Sequence, residues 1–583
     1  MQRQSCAIRD REWRLFDREW RHFDREWRHF DREWRHFGEK NFFIEPLEDS
    51  LVFMSESDGG QRQRRIAGQP MFILSEDTDR TSGRDAQSAN IQAGKAVAES
   101  VRSTLGPNGM DKMLVSGSGD VVVTNDGATV LEEMDIEHPA AEMLVDVAES
   151  QDEEVGDGTT TAAALAGELL SETEALLEDD VHPTTIVGGY LTASEVALET
   201  VEDLTLEGEV DEEILRQVAE TSMTGKGTGG VSPATLADAV VEAVSHVDGD
   251  GDVDREAIEV VAQAGRSSAA TEVIEGVIAD AEYVGRERPA PVSDADVAIL
   301  DADLDIAETE VDAEYQIGNV DQLNAAVESE QQQFRELAES VIDAGVDVLV
   351  TTGEVADTTA GILTREDVLV FEDVSSSTAK TIARATGAGL LGTVDGLDGD
   401  DLGTAETVRV ETYDDDELAF FEGGAAADTV SVFLRGGTEG VLDELERAVT
   451  DGVDAAVAAL NAGGVVPGAG AVEIAVAGAI REAAAGVEGR EQLAVEAFAD
   501  AVDVVPRTLA TTAGEDPIDA LADLRAANDG GRAGLVSAGG EVTVADPVDH
   551  GVLDPAEVKR EVFRNATEAS TLIARIDDVI SAN

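Results

Sequence analysis

Apolar and polar residues follow two different periods along the chain, and these periods predict its helices and strands. Over residues 90–104 and most of residues 128–177, apolar residues recur every three or four positions, as on one face of a helix. Later in the chain, short runs of apolar and β-branched residues alternate with helical stretches, which predicts an α/β region. Strands are predicted at residues 71–74, 121–124, 297–300, 346–350 and 368–371.

A heptad repeat sets residues 10–37 apart from the rest of the chain, and its aromatic residues would form one stripe on a helix. Three interpretations are open: a coiled-coil or membrane-surface helix, a histidine metal cluster, and translation of a tandem DNA repeat upstream of a true start at Met54. Histidines seven residues apart lie ~10 Å apart on a helix, too far to share one ion. The copies of the heptad are nearly identical at every position, including those that would face solvent, and this exceeds what folding requires. We therefore expect residues 1–53 to be a non-native extension.

The chain is strongly acidic, with 123 acidic residues, 41 basic residues and a net charge of −82. This charge would repel phosphate backbones, which argues against a nucleic-acid partner. Since 42% of the residues are apolar, the chain has the composition of a folded protein and not of an acidic disordered tail. Most of its basic residues are arginines. This composition indicates a halophilic cytosol, because at ~1 M salt charges are screened within about 3 Å.

Disulfides, membrane spans and secretion signals are not expected. The single cysteine, Cys6, excludes an intrachain disulfide. No uninterrupted apolar run is long enough to cross a bilayer, and the N-terminus is charged throughout. We therefore expect a cytoplasmic protein without a membrane partner.

A loop rich in glycine and threonine is the most informative candidate for chemistry. Gly156, Asp157 and Gly158 are followed by threonines at residues 159–161 and then by a helical pattern. The start of a helix offers free N–H groups and the positive end of its dipole, and glycine lets a bulky anion approach. Asp157 would repel a phosphate unless a magnesium ion lay between them. The alternative is a tight turn with a threonine N-cap, because a lone Gly-x-Gly is a weak signal.

Further motifs, in order and spacing, resemble those of a group II chaperonin, the thermosome. They lie at residues 105–114, 124–129, 156–161, 182–184, 435–438, 466–470, 513–519 and 575–580. The resemblance covers about residues 66–580. It implies an ATP-dependent chaperone subunit that binds unfolded proteins inside a double ring, built of itself alone or with paralogous subunits. The implied cofactors are ATP and Mg²⁺, with K⁺ in addition.

The resemblance also implies the fold class: a multi-domain α and α/β protein with a nested layout. A mostly helical equatorial domain would bind ATP, a small intermediate α/β domain would follow, and an apical α/β domain would bind substrate. The expected limits are residues 54–209 and 464–583 (equatorial), 210–278 and 428–463 (intermediate), and 279–427 (apical). A helical protrusion at about residues 308–340 would act as a built-in lid, although its sequence alone is that of a solvated surface helix.

The same resemblance predicts the roles of individual site residues. Asp157 would bind magnesium, while Asp126 and Asp451 would hold and activate the attacking water. Lys226, by itself an exposed loop lysine, would reach the terminal phosphate. Asp554 would contact the ribose or base, although a helix N-cap also explains it. The other nucleotide contacts are predicted at Leu105, Gly106, Pro107, Gly109, Gly158, Thr159, Thr160, Thr161, Gly468, Ala469, Gly470 and Lys559.

Two residues depart from the family's pattern and keep a second hypothesis open. Ala469 stands where many members carry glycine, and Asn108 replaces a frequent lysine. The chain would then be a largely structural subunit of a mixed ring that hydrolyses ATP poorly, which intact Asp126, Asp157 and Asp451 oppose. Asp451 lies far along the chain, so we expect it to reach nucleotide only when the intermediate domain swings down. A third hypothesis is a membrane- or partner-binding protein acting through the aromatic heptads.

Overall fold

The computed structural model describes residues 78–582 with short gaps. The gaps are residues 118, 120, 207, 248–251, 266–269, 286–288, 307–319, 395, 414–415, 425–428, 462, 529 and 539–540. The heptad repeat, the strand predicted at residues 71–74 and the first part of the predicted protrusion therefore lie outside the described residues.

The described residues form both helices and strands. In chain order the helices are α1 (Arg84–Arg102), α2 (Gly127–Glu132), α3 (Pro139–Val155), α4 (Thr159–Glu178), α5 (Pro183–Leu204), α6 (Glu212–Met223), α7 (Pro233–Val247), α8 (Val320–Asp343), α9 (Asp357–Leu363), α10 (Ser376–Thr386), α11 (Glu439–Asn461), α12 (Ala471–Ala484), α13 (Glu491–Val502), α14 (Val504–Thr512), α15 (Pro517–Ala527) and α16 (Ala556–Ala574). The strands are β1 (Thr78–Ser82), β2 (Lys112–Val115), β3 (Val121–Thr124), β4 (Ile258–Ala264), β5 (Glu272–Asp280), β6 (Glu282–Tyr283), β7 (Val292–Leu300), β8 (Val348–Thr351), β9 (Leu369–Glu372), β10 (Leu390–Leu391), β11 (Gly403–Tyr413), β12 (Asp416–Gly424), β13 (Val430–Gly436), β14 (Val465–Pro467), β15 (Gly534–Ala538), β16 (Glu541–Ala545), β17 (Leu553–Pro555) and β18 (Asp578–Ala582).

A helical bundle brings the first and last parts of the described chain together. Its members α1, α3, α4, α5, α12, α13 and α16 contact one another and share one buried core. Small residues let the helices approach closely: a Cβ added at Gly167 of α4 would lie 2.2 Å from the Cβ of Ala98 on α1. The larger side chains fill the space between α5 and α13, where the rings of Tyr190 and Phe498 meet edge to face at 5.6 Å.

A mixed sheet occupies the middle of the chain. Its strand order is β4-β13-β5-β12-β11-β7-β8-β9-β6, with β10 beside β7. Strands β7, β8 and β9 are parallel and buried, which confirms the three strands predicted in this region. Alternate residues point to opposite faces. Val297 and Ile299 share a buried core with residues of α10, whereas Ala298 and Leu300 share a core with residues of α8 and α9 on the other face.

A second core connects the sheet with the helical bundle. Helices α7 and α11 pack over β4 and β13, and α6 packs against α7 and α11. The shared core includes Met223, Leu236, Val432 and Leu445. Helix α11 then continues until it contacts α3 and α16 of the bundle. Side chains on α11 therefore lie close to the loops at the ends of the bundle helices. The mixed helical and sheet structure with several cores confirms the multi-domain α and α/β class, while the limits of the domains stay a prediction.

Several boundaries differ from the sequence predictions. The helix expected at residues 90–104 begins earlier, at Arg84, and ends at Arg102. The helical pattern over residues 128–177 is divided into α2, α3 and α4. The strand predicted at residues 121–124 is confirmed as β3, which pairs antiparallel with β2. Within the part of the chain that the structure describes, none of the helices is both long and apolar enough to cross a membrane.

Candidate functional site

A cleft of 680 Å³ opens where loops of the helical bundle meet α6 and the loop after it. Most residues that the sequence predicted for nucleotide binding line this cleft. They are Leu105, Gly106, Pro107, Asp126, Asp157, Gly158, Thr159, Thr160, Thr161, Lys226, Ala469, Gly470, Asp554 and Lys559. Gly109, Gly468 and Asp451 are described but are not among the lining residues. The structure therefore brings together residues from six separate segments of the sequence.

The loop between α3 and α4 forms one wall of the cleft. Gly156 ends α3 in the left-handed region at φ 61°, and Gly158 precedes α4 at φ 85°. Asp157 lies between them, and its Oδ1 accepts a hydrogen bond of 2.7 Å from the Gly158 N–H. A Cβ at Gly158 would lie 2.9 Å from Cγ1 of Val558, so this position requires glycine. The N-cap of α4 is Gly158 without a side-chain cap, so the threonine N-cap interpretation is wrong.

Asp126 lies in the neighbouring loop and begins α2. Its Oδ2 accepts a hydrogen bond of 2.7 Å from the Thr129 N–H, so the carboxylate caps that helix. The next residue, Gly127, is packed against α4, because an added Cβ would lie 2.2 Å from Oγ1 of Thr160. Asp126 therefore caps α2 and also lies on the cleft wall.

Lys226 and Asp451 form an ion pair at the side of the cleft. The loop that carries Lys226 is held by Asn125, whose Nδ2 donates to the carbonyl of Gly225 at 2.7 Å. A Cβ at Gly225 would lie 2.9 Å from the carbonyl oxygen of Gly106, so the loop lies directly against the Gly106 turn. The side chains of Lys226 and Asp451 are 20% and 14% exposed. Asp451 therefore does not line the cleft itself but pairs with a residue that does.

Lys559 lies in a buried cluster with two carboxylates. Its Nζ is 2.9 Å from Oε1 of Glu473 and 2.9 Å from Oδ2 of Asp554. Burial alone would lower the pKa of Lys559, but the charges of Asp554 and Glu473 raise it above its usual range.

The N-cap interpretation of Asp554 is wrong, because Asp554 pairs with Val466 between β17 and β14 and the cap residue of α16 is Pro555.

The charges that line the cleft restrict what it can bind. Among the described lining residues, two ammonium groups stand against six carboxylates. The former are Lys226 and Lys559, and the latter Asp126, Asp157, Glu213, Glu220, Asp549 and Asp554. A polyphosphate would be repelled unless a divalent cation lay between it and the carboxylates. The described residues hold no cluster of three or more metal-binding side chains. Magnesium is typically held by one or two carboxylates together with phosphate oxygens and water.

A second ion pair lies behind the loop of Asp157. Asp454, one turn after Asp451 on α11, pairs with Arg255. A Cβ at Gly156 would lie 2.2 Å from the Cβ of Asp454, so α11 packs directly on this loop. Burial raises the pKa of Asp454, and the charge of Arg255 acts against that shift. The contact connects the loop with the segment that leads into β4.

Ala469 adopts a backbone conformation that favours glycine, with φ at 55°. A hydrogen bond of 2.9 Å from the Leu535 N–H to its carbonyl holds it there. Since a Cβ in the left-handed region costs about 1 kcal/mol, we expect Ala469→Gly to stabilise the protein by about that amount. Chemical denaturation in multi-molar KCl measures the effect.

Ala475→Gly is the matched control, because Ala475 is similarly half-buried but lies inside α12. Glycine in a helix interior costs about 1 kcal/mol, so the control is expected to lose stability. A loss of similar size in both variants would contradict the strain at Ala469. Asn108, the other departure from the family pattern, is exposed and does not line the cleft.

The side chains near the cleft that were not predicted from the sequence include Gln151, Glu473 and Asp454. Gln151 is fully buried and donates to the carbonyl of Asp157. Glu473 is 2% exposed and binds Lys559. Gln151 and Glu473 stand at apolar positions of helical patterns. A buried polar residue must find a hydrogen-bond partner, so a polar residue at such a position was the signal that could have identified them.

Comparison with known proteins agrees with the motifs and the cleft. Residues 97–583 match the TCP-1/cpn60 chaperonin family. Thermosome subunit 3 of Haloferax volcanii is 57% identical over 517 residues, which cover 88% of this chain and 99% of that protein. Thermosome subunit alpha of Halobacterium salinarum is 48% identical over 522 residues, 89% of this chain and 92% of that protein. The thermosome subunit of Methanopyrus kandleri is 46% identical over 523 residues, 88% and 95% of the two chains. The chain therefore belongs to the TCP-1/cpn60 chaperonin family, and within it to the group II chaperonins.

Proposed function

We propose that the chain is an ATP-dependent molecular chaperone subunit that hydrolyses ATP in the cleft. It would assemble with itself or with paralogous subunits into a double ring, enclose non-native proteins and close on hydrolysis. Membership of the chaperonin family supports this proposal, as do relatives that are named thermosome subunits. The net charge of −82 supports a cytoplasm at high salt, where K⁺ would be the abundant cation.

The observation that carries the proposal is the start of α4 beside two carboxylates. Thr159, Thr160 and Thr161, at the start of α4, line the cleft together with Asp126 and Asp157. A helix start of this kind donates hydrogen bonds to phosphate oxygens. Magnesium, when bound, would neutralise phosphate charge. Asp157 fits as its ligand because carboxylate oxygens are the hard ligands that magnesium prefers.

The ion pair between Lys226 and Asp451 would make the availability of the Asp451 carboxylate depend on bound nucleotide. While Lys226 holds the carboxylate of Asp451, the ammonium is partly neutralised and the carboxylate is engaged. A terminal phosphate in the cleft would compete for Lys226, since Lys226 lines the cleft and phosphate carries more charge than a carboxylate. Asp451 would then be released to accept a proton from the attacking water, together with Asp126, which also lines the cleft.

The domain limits and the lid belong to the same proposal. Residues 54–209 and 464–583 would form the equatorial domain, and residues 279–427 the apical domain. In the described part of the protrusion, residues 327–333 of α8 are exposed, as a segment that closes over a chamber would be before closure. Captured proteins would contact apolar apical surface and lose it when the chamber closes.

A largely structural subunit is the second candidate, and the left-handed Ala469 on the cleft wall favours it. A folding assay distinguishes the two. The full chain is mixed with a denatured enzyme from a halophile in multi-molar KCl, with ATP or with a nonhydrolysable analogue. Refolding that requires ATP and Mg²⁺ is the expected result, whereas recovery equal to spontaneous refolding under all conditions supports the structural subunit.

A further inference from the structure

A buried chain of amides supports the loop that carries Asp157. Gln151 on α3 has no exposed surface, and its Nε2 donates to the carbonyl oxygen of Asp157 at 2.9 Å. Its Oε1 accepts a hydrogen bond of 3.0 Å from Nδ2 of Asn565 on α16, which is 8% exposed. Both ends of the Gln151 amide are therefore engaged. The three groups come from α3, the loop and α16, so no single element fixes them.

This arrangement determines where the Asp157 carboxylate lies. In a planar trans peptide the C=O and the N–H point in opposite directions. Because Gln151 holds the Asp157 carbonyl towards the bundle, the N–H of Gly158 points the other way. That N–H donates to Oδ1 of Asp157 at 2.7 Å. The orientation of one peptide unit, fixed from behind by Gln151, thus fixes the carboxylate in front of it.

An amide is the side chain that this position requires. The carbonyl of Asp157 can only accept a hydrogen bond, so the group that faces it must donate. The Nδ2 group of Asn565 can only donate, so the group that faces it must accept. Glutamine offers both at once, while methionine offers no N–H donor and glutamate has a donor only when it is protonated. The glycine at 158 also leaves room, because a Cβ there would lie 3.2 Å from Nε2 of Gln151.

We propose that Gln151 and Asn565 are positioning residues that aim the Asp157 carboxylate at the magnesium ion of the nucleotide. This inference rests on the proposed function, since it assigns a role in metal binding at the same site. Residues that hydrogen-bond to a metal ligand from behind commonly change metal affinity 10- to 100-fold when they are replaced. A residue that only fills the core would instead change stability alone.

The test uses the full chain in multi-molar KCl and follows thermal stabilisation by a nonhydrolysable ATP analogue as Mg²⁺ is titrated. We expect Gln151→Met to raise the Mg²⁺ concentration at half-maximal stabilisation by about 10- to 100-fold. Asn565→Leu is expected to shift it in the same direction by a smaller factor, because the Gln151 donor remains. Binding of the analogue without Mg²⁺ should change less than twofold in either variant.

Tyr190→Phe is the matched control. The Tyr190 hydroxyl also donates to a buried backbone carbonyl, that of Leu169 at 2.8 Å, in the same helical core. This variant should melt at a lower temperature and keep the Mg²⁺ midpoint of the parent. Gln151→Glu, which keeps an acceptor for Asn565, provides a second variant if Gln151→Met does not fold, and the same direction of shift is expected.

The possible failures are distinguishable. A parent protein that gains no Mg²⁺-dependent stabilisation from the analogue overturns the proposed function and this inference with it. A parent that gains stabilisation, together with a Gln151 variant whose Mg²⁺ midpoint equals that of the parent, overturns the inference alone. A shifted midpoint in the Gln151 variants and an unchanged midpoint in Tyr190→Phe supports the positioning role.

Discussion

Replacing Asp451 by asparagine is expected to lower ATP turnover about 100-fold or more and to leave nucleotide binding nearly unchanged. Positioned acid–base groups typically contribute between about 10² and 10⁴ in rate. Asparagine keeps the size of the side chain but cannot take up a proton from water. Binding should persist because Asp451 is not on the cleft wall and touches it only through Lys226. Turnover is measured as phosphate release, and binding by calorimetry.

Asp443→Asn is the control for this experiment. Asp443 lies on the same helix, α11, but is exposed. The control removes the same charge from the same element and should retain the turnover of the parent. If Asp451→Asn hydrolyses ATP within about twofold of the parent, Asp451 is not the base. If it loses nucleotide binding as well, its role is to hold Lys226 rather than to activate water.

Replacing Lys559 by methionine is expected to destabilise the protein by about 3–5 kcal/mol. The substitution removes the cation that compensates Glu473 and Asp554, whose side chains are only 2% and 21% exposed. One oxygen of Glu473, Oε2, already has no hydrogen-bond partner. Loss of the lysine would therefore leave a buried charge without compensation. Denaturant unfolding of the full chain in multi-molar KCl measures the change.

Lys95→Met is the matched control, because Lys95 forms an ion pair of the same length, 2.9 Å, with Glu174. Both partners of that pair are partly exposed, at 35% and 27%, so its loss is expected to cost at most about 1 kcal/mol. Adding Glu473→Gln to Lys559→Met should recover part of the lost stability. Equal, small effects of Lys559→Met and Lys95→Met would contradict the account of a buried, compensated cluster.

The parts of the fold that depend on local pattern could be predicted from the sequence. Residues 297–300 of β7 and most of β8 and β9 are apolar and buried on both faces, and this gives them a recognisable sequence. The loop before α4 was also predictable, because glycine at 158 is required by a left-handed backbone and by contact with Val558. In these cases the cause of the structure lies within a few residues.

Long-range pairs could not be predicted in the same way. Gln151 and Asn565 are 414 residues apart, and Lys226 and Asp451 are 225 apart. Nothing near either member specifies its partner, because the pairing follows from how whole helices pack. The N-cap prediction for Asp554 failed for the same reason. Its local sequence is that of a cap, but pairing with Val466 of β14 keeps it in a strand.

The central claim, that the cleft binds and hydrolyses ATP, is tested most directly by phosphate release from ATP with the full chain in multi-molar KCl, with and without Mg²⁺. The account predicts steady turnover that stops when Mg²⁺ is chelated, because the carboxylates that line the cleft repel ATP without a cation. Tight binding of ATP with no turnover in the presence of Mg²⁺ would contradict the account and would favour a structural subunit.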